Sequence, residues 1–121
     1  MYTETVMKFF RKPHNAGTIE GSDGYGYFED AANTNTIEVF LKVKDGRIQD
    51  IKFRTFGCVA AIASSVAMTK MAEGKTLKEA EGITGADVLS QLGGLPETKK
   101  HCSVLAVTGL RAAIHDCRKR S

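Results

Sequence analysis

The side chains in this sequence best suited to metal or sulfur chemistry are Cys58, His101 and Cys102. Cys58 follows a glycine at a predicted strand-to-helix turn, and Cys102 lies at the start of the predicted last helix. A thiol at a helix start faces unpaired N–H groups, which favours its thiolate form. Two thiolates and an imidazole are suitable ligands for zinc or iron. Residue type alone leaves an alternative open, in which both cysteines are small buried residues and His101 is a helix cap. No Cys-x-x-Cys spacing links the two cysteines as metal ligands.

The third cysteine, Cys117, is predicted to be a core residue. It continues an apolar stripe at helical spacing, and free cysteine is among the most buried residue types. The other members of the stripe are Val107, Leu110 and Ile114. His14 follows a proline after a predicted helix, and His115 lies off the stripe, so both are interpreted as solvated rather than as ligands.

Bulk properties favour a small globular protein. The 121 residues are 42% hydrophobic and 26% charged, with a formal net charge of +3. This is enough apolar material for one core, so we expect a single domain over residues 1–121. The sequence has neither a long apolar run nor a secretory signal, which predicts a cytoplasmic protein that does not bind membranes. The basic residues are too sparse to suggest nucleic-acid binding.

Hydrophobic periodicity predicts the elements that must position these side chains. An amphipathic helix is expected over residues 3–12, with Val6, Met7 and Phe10 on its apolar face. Glycine-rich irregular chain is expected over 17–26, where Gly21, Gly24 and Gly26 lack the context of a nucleotide-binding motif. Alternating residues 36–43 and 48–55 predict two strands joined by a hairpin turn at Asp45-Gly46.

Helices are predicted after Cys58. The first covers residues 59–71, with Ile62 and Val66 as anchors. Thr76 opens a second helix with a capping box, Thr84 caps a third, and the last runs over 101–118. Strands followed by helices indicate an α+β fold, a small antiparallel sheet with helices packed on one face.

These segments together resemble the NifU/IscU family of iron–sulfur cluster assembly scaffolds. The similar blocks cover essentially the whole chain: KPHNAG (12–17), LKVKDGRI (41–48), DIKFRTFGC (50–58), AIASS (61–65), GKTLKEA (74–80) and HCSVLA (101–106). The resemblance implies a scaffold or carrier rather than an enzyme, which receives sulfur from a cysteine desulfurase and passes a cluster to apo-protein acceptors. It also implies that Cys58, His101 and Cys102 hold iron or a labile [2Fe–2S] cluster. Zinc is an alternative occupant in purified protein, because it readily binds thiolate and imidazole ligands. The family's third cysteine, which matches Cys102, is a main persulfide acceptor.

Two departures from the family pattern bear on this function. The family's Cys-Gly-Asp falls at Asn33, Thr34 and Asn35, so both the first thiolate and the carboxylate are replaced by neutral amides. Asp30 could replace the carboxylate only if the loop is shifted. The family's chaperone-recognition segment, Leu-Pro-Pro-Val-Lys, appears here as LPETK (95–99), which puts chaperone hand-off in doubt.

Three functions follow from this pattern. The first, which the pattern favours, is a divergent scaffold or carrier that binds a cluster, iron or zinc through Cys58, His101 and Cys102. The second is a persulfide relay that uses Cys102 as its catalytic thiol without building a cluster. The third is a non-catalytic relative that binds a desulfurase. Homo-oligomers are compatible with all three.

Overall fold

The computed structural model describes residues 1–120, which form five α-helices and three β-strands. The elements in chain order are α1 (Glu4–Arg11), β1 (Gly24–Asp30), β2 (Asn35–Lys44), β3 (Arg47–Phe56), α2 (Val59–Ala72), α3 (Leu77–Glu81), α4 (Gly85–Leu92) and α5 (His101–Arg120). Short 3₁₀ turns at Ala31–Asn33 and Glu97–Lys99 precede β2 and α5. No helix within residues 1–120 is long and apolar enough to cross a bilayer.

The three strands form one antiparallel sheet in the order β1-β2-β3. Strand β2 is central, and its inward residues Ile37, Val39 and Leu41 are fully buried. The predicted hairpin turn is present: Asp45 and Gly46 have φ of 54° and 76°. Positive φ at both positions is the signature of a type I′ turn, whose twist matches that of the paired strands.

Strand β1 was not predicted, because its glycines suggested irregular chain. A Cβ on Gly24 would lie 2.5 Å from the Ala113 carbonyl oxygen, and one on Gly26 would lie 2.3 Å from the Ala113 nitrogen. From the other side, a Cβ on Gly109 of α5 would lie 2.7 Å from Ile37 Cγ2. The glycines therefore allow the last helix to pack directly on the backbone of the sheet.

The helices begin largely where the sequence predicts. Thr76 and Thr84 both form capping boxes, with Glu79 and Asp87 respectively. The apolar face predicted for α1 was partly wrong: Val6 and Phe9 are buried, whereas Phe10 is exposed. The reason is that α1 packs against α2 rather than lying flat on the sheet.

The predicted anchors of α2 also need a correction. Val66 is fully buried, but Ile62 is only partly buried, at a groove between α2 and β3. Small residues occupy most of the buried positions of α2: Ala60, Ala61, Ala63, Ser64, Ser65, Ala67 and Ala72. They allow close packing on every side, so this helix has no single apolar stripe.

The predicted α+β fold class is confirmed. Helix α5 packs on β1 and β2, and α2 packs on β3. The predicted stripe of α5 is buried in the core, as Val107, Leu110 and Ile114 are at most 2% exposed.

We predict that Gly26→Ala lowers the free energy of unfolding by about 1–3 kcal/mol, the usual cost of overpacking a core. The new methyl group would meet backbone atoms of α5, which cannot move aside singly. Gly82→Ala is the matched control, since its nearest neighbour, the Glu79 carbonyl oxygen, would be 3.4 Å away. The control should be neutral or stabilising by up to about 1 kcal/mol. Urea denaturation measures both, and equal effects would contradict the close packing.

Candidate metal centre

Two helix starts bring the predicted ligands together. Cys58 is the N-cap of α2, directly after β3, and His101 and Cys102 are the first two residues of α5. The Cys58 and Cys102 Sγ atoms are 3.9 Å apart. The Cys102 Sγ is 3.6 Å from His101 Nε2.

These separations fit a shared metal ion. With thiolate bonds of ~2.3 Å and imidazole bonds of ~2.05 Å, tetrahedral coordination puts two sulfurs ~3.8 Å apart and a sulfur and a nitrogen ~3.6 Å apart. Both separations are close to these edges of a tetrahedron. Within residues 1–120, however, no three His, Cys, Asp or Glu side chains are already gathered as a preformed metal site. The two close pairs are Cys58 with Cys102 and Cys102 with His101.

The Cys58 thiol is the more acidic of the two. Burial by itself would raise its pKa, but the Ala61 and Ala60 N–H groups of the first turn of α2 act in the opposite direction, and the net pKa lies below its usual value. The sulfur makes no capping hydrogen bond of ordinary geometry. Its thiolate is favoured because it faces the positive end of the helix.

The Cys102 thiol has the opposite character. It is fully buried, and burial together with the neighbouring Cys58 charge raises its pKa to about 12. Two close thiols cannot easily ionise together, so the metal-free pair retains one proton. A bound cation would displace that proton.

An open cavity of about 360 Å³ lies beside the two thiols. Cys58 and His101 line it, whereas Cys102 does not. The remaining lining residues are Asn33, Thr34, Asn35, Phe56, Gly57, Thr98 and Lys99. The Lys99 charge lowers the pKa of Cys58, so the cavity favours anionic sulfur.

Asn35 contacts Cys102 directly. Its side chain is only 5% exposed, and its Nδ2 lies 4.0 Å from Cys102 Sγ. A Cβ on Gly57 would lie 2.8 Å from Asn35 Oδ1, so this glycine allows the amide to approach. From the sequence, Asn35 is only the position at which the carboxylate of the family pattern is absent. The alternation along β2 could have predicted that Asn35 is buried, because Asn35 lies on the same inward face as Ile37 and Val39.

Asn33 belongs to the exposed rim of the same cavity. Its Nδ2 donates a hydrogen bond of 2.8 Å to Asp30 Oδ2. Asp30 is the cross-strand partner of Asn35, so its carboxylate lies near the site although it does not line the cavity. Thr34 between the two asparagines has φ of 53°, in the left-handed region that a β-branched residue rarely adopts. The family pattern has glycine at this position.

The other candidate residues lie elsewhere. Cys117 is buried in α5 at 8% exposure. It packs against β1, since a Cβ built on Gly24 would lie 2.8 Å from the Cys117 Cβ. His14 and His115 are exposed. None of the three belongs to the cavity that Cys58 lines.

Comparison with known proteins places the chain in a family. The NifU-like N-terminal domain model matches residues 1–121. The chain is 50% identical over 116 residues to iron–sulfur cluster assembly scaffold protein IscU 1 of Archaeoglobus fulgidus, covering 96% of this chain and 76% of that protein. It is 37% identical over 123 residues to the IscU scaffold protein of Escherichia coli K12, covering 98% and 95%.

A solved structure shares the fold. A putative iron–sulfur cluster assembly scaffold protein for the SUF system from Fervidobacterium islandicum superimposes with a TM-score of 0.77 at 21% identity, covering 93% of this chain and 96% of that one. The chain therefore belongs to the family of NifU-like N-terminal domains, which confirms the predicted family resemblance.

We predict that iodoacetamide alkylates Cys58 at least about tenfold faster than Cys102 or Cys117 near neutral pH, because only the thiolate reacts. Because the pKa of Cys58 is lowered, its alkylation rate should rise with pH and reach half its maximum below about pH 8.5, the pKa of free cysteine. The pKa values of the other two thiols are raised, so they should react only at higher pH or after unfolding. Peptide mass mapping in buffer and in urea measures this order. Faster labelling of Cys102 in the native protein would refute the assigned environments.

Proposed function

We propose that this chain is an iron–sulfur cluster assembly scaffold or carrier that holds its iron, or a labile cluster, between Cys58, His101 and Cys102. The observation that carries the proposal is the spacing of the two sulfurs and the imidazole, at 3.9 and 3.6 Å. Soft thiolates together with an imidazole suit iron and zinc, and the adjoining cavity leaves room for cargo. The names of the relatives from Archaeoglobus fulgidus and Escherichia coli support the same function.

The ligand set predicts a labile cargo. Iron–sulfur clusters are normally held by four strong ligands. This site supplies two thiols and one imidazole, and neutral amides stand where the family pattern has a thiolate and a carboxylate. An amide oxygen binds iron in a sulfide cluster weakly. A cluster with an incomplete ligand set leaves readily, which suits a carrier.

The site is accessible to a protein partner. Phe56 at the cavity is 74% exposed, and Val104, two residues after Cys102, is 55% exposed. Exposed apolar side chains beside a reactive thiol suit transient contact with a sulfur donor such as a cysteine desulfurase, and with apo-protein acceptors. We assign this activity to the cytoplasm, where thiols remain reduced.

The proposal predicts that Asn33→Cys strengthens cluster binding. Asn33 lines the cavity with Cys58 and His101, so a thiolate there adds a soft anionic ligand. A change outside the ligand set alters metal affinity about 10–100-fold, so restoring a ligand should slow cluster loss at least about tenfold. The measurement is reconstitution with ferrous iron and sulfide under argon, followed by the rate of colour loss to a chelator.

Two variants control this experiment. Asn33→Ser removes the same amide without adding a thiolate, so it should behave like the wild type. Cys58→Ser should lose most of the colour because only one thiol remains in the centre. A wild type that holds a durable cluster by itself would contradict the incomplete ligand set, as would an Asn33→Cys variant that bleaches like Asn33→Ser.

Asn35→Asp should act differently. A carboxylate at this position would sit beside Cys102 Sγ, where it would attract ferrous iron but bind a sulfide cluster less strongly than a thiolate does. The metal-free variant should lose about 1–3 kcal/mol of stability, because the new charge is buried without a partner. Ferrous iron titration by calorimetry and urea unfolding measure the two effects. Weaker iron binding than in the wild type would contradict the position assigned to Asn35.

A further inference from the structure

A group of basic side chains lies where the ends of α1 and α2 meet. We call it the α1–α2 cluster, and its members are Lys8, Arg11, Lys12, His14 and Lys70. None of them lines the cavity beside Cys58. Lys70 is ~18 Å from Cys58 along α2, at a helical rise of ~1.5 Å per residue. The cluster is therefore separate from the metal centre.

Two adjoining pockets lie among these side chains. The smaller pocket, of about 150 Å³, is lined by Lys8, Phe9, Lys12, His14 and Lys70. The larger pocket, of about 320 Å³, is lined by Glu4, Lys8, Arg11 and Lys12. The smaller pocket has the volume of roughly five water molecules, at ~30 Å³ each, which is enough for one phosphate group. Lys8 and Lys12 belong to both pockets.

Phe9 helps to position one of the cations. This side chain is only 8% exposed, and Lys70 Nζ lies 5.8 Å from the centroid of its ring. A cation–π contact of this kind attracts the ammonium group without neutralising its charge. Lys70 is thereby held at the smaller pocket with its N–H groups available to a ligand.

The cations of the cluster have no carboxylate partner. In the part of the chain that the structure describes, residues 1–120, seven ion pairs neutralise basic side chains at other places on the surface. None of these pairs includes the cluster's cations, which are Lys8, Arg11, Lys12 and Lys70. Like charges gathered in one place repel one another, so a bound anion would stabilise this arrangement.

The ends of the two helices compensate only part of the charge. Lys8 and Arg11 lie in the last turn of α1, and Lys70 lies in the last turn of α2. Each helix C-terminus carries a charge of about −0.5. Glu4 adds one negative charge at the larger pocket. About two positive charges therefore remain uncompensated, which fits a ligand with at least two negative charges.

We propose that the α1–α2 cluster binds a diphosphate group, as in inorganic pyrophosphate or a nucleoside diphosphate, with one phosphate in each pocket. Phosphate oxygens form strong charge-assisted hydrogen bonds with lysine and arginine. Lys8 and Lys12 contact both phosphates, because both side chains line both pockets. The site gives this chain an anion-binding function in addition to its proposed role at the metal centre.

The remaining members of the cluster each serve one phosphate. Lys70 and the imidazole of His14 are at the smaller pocket, and the guanidinium of Arg11 is at the larger one. A single phosphate can fill only one pocket and leaves the cations of the other without an anion. The arrangement therefore favours diphosphate over monophosphate.

The test is isothermal titration calorimetry of the full-length, metal-free protein with inorganic pyrophosphate, inorganic phosphate and ADP, in buffer without divalent cations. The wild type should bind one pyrophosphate per chain at least about tenfold more tightly than phosphate, because the second phosphate adds charge-assisted hydrogen bonds. Added salt should weaken binding, because exposed charges are screened. Equal affinities for ADP and pyrophosphate would show that the diphosphate group alone is recognised, and tighter binding of ADP would add a contact with the nucleoside.

Three variants test the assignment of the pockets. Lys12→Gln should weaken pyrophosphate binding at least about tenfold, because this side chain lines both pockets. Lys12→Arg keeps the charge and should retain most of the binding. Lys44→Gln is the matched control, since it removes the same charge from an exposed lysine outside both pockets and should bind like the wild type. Circular dichroism checks that each variant is folded.

Three outcomes would overturn the inference. The first is the absence of pyrophosphate binding by the wild type. The second is an equal loss of affinity in Lys12→Gln and Lys44→Gln, which would mean that net charge alone attracts the anion. The third is an oligoglutamate peptide that binds more tightly than pyrophosphate and loses its affinity in Lys12→Gln. That result would assign the cluster to an acidic protein partner instead of a phosphate ligand.

Discussion

The structure depends on one backbone-to-backbone contact, between the last helix and the first strand. Because Gly24 and Gly26 have no side chain, β1 approaches the backbone of α5 around Ala113 so closely that a Cβ would not fit. Gly109 of α5 likewise allows close contact with the Ile37 side chain. Because protein interiors are close-packed, a helix seated at this distance has little freedom to slide or rotate. The N-terminus of α5 is thereby fixed at the end of the sheet where β3 delivers Cys58. The separation of the two sulfurs at 3.9 Å is a consequence of that packing.

The centre built in this way has unequal thiols. Cys58 faces the first turn of α2 and the Lys99 side chain, while Cys102 is enclosed by protein. Without a cation, the charge resides mainly on the accessible thiol. In the proposed function, the buried thiol of Cys102 must lose its proton before both sulfurs can bind a cation.

The asparagines define how this chain departs from the family pattern. Asn35 fills the buried space beside Cys102 without adding charge, and Gly57 leaves room for its amide. Asn33 turns its amide toward Asp30 at the rim. A neutral amide avoids the unfavourable free energy of burying a carboxylate next to a thiolate. In the proposed function, the same neutrality weakens the binding of iron. Both effects follow from replacing a charged ligand with an amide of similar size.

Local rules determined much of this protein from the sequence. Alternation identified β2 and β3, Asp45-Gly46 identified their turn, and the capping residues Thr76 and Thr84 identified two helix starts. The motif blocks identified the family and the three candidate ligands. These features depend on residues that are close together in the sequence, so the sequence pattern is enough to predict them.

Only the tertiary structure decided the remaining features. Strand β1 exists because its glycines meet α5, more than 80 residues away, and no local pattern records that contact. The buried face of α1 depends on its docking against α2, which selects Phe9 over Phe10. The same is true of the centre. Both cysteines were evident in the sequence, but their unequal exposure results from how two distant helices meet the end of one sheet.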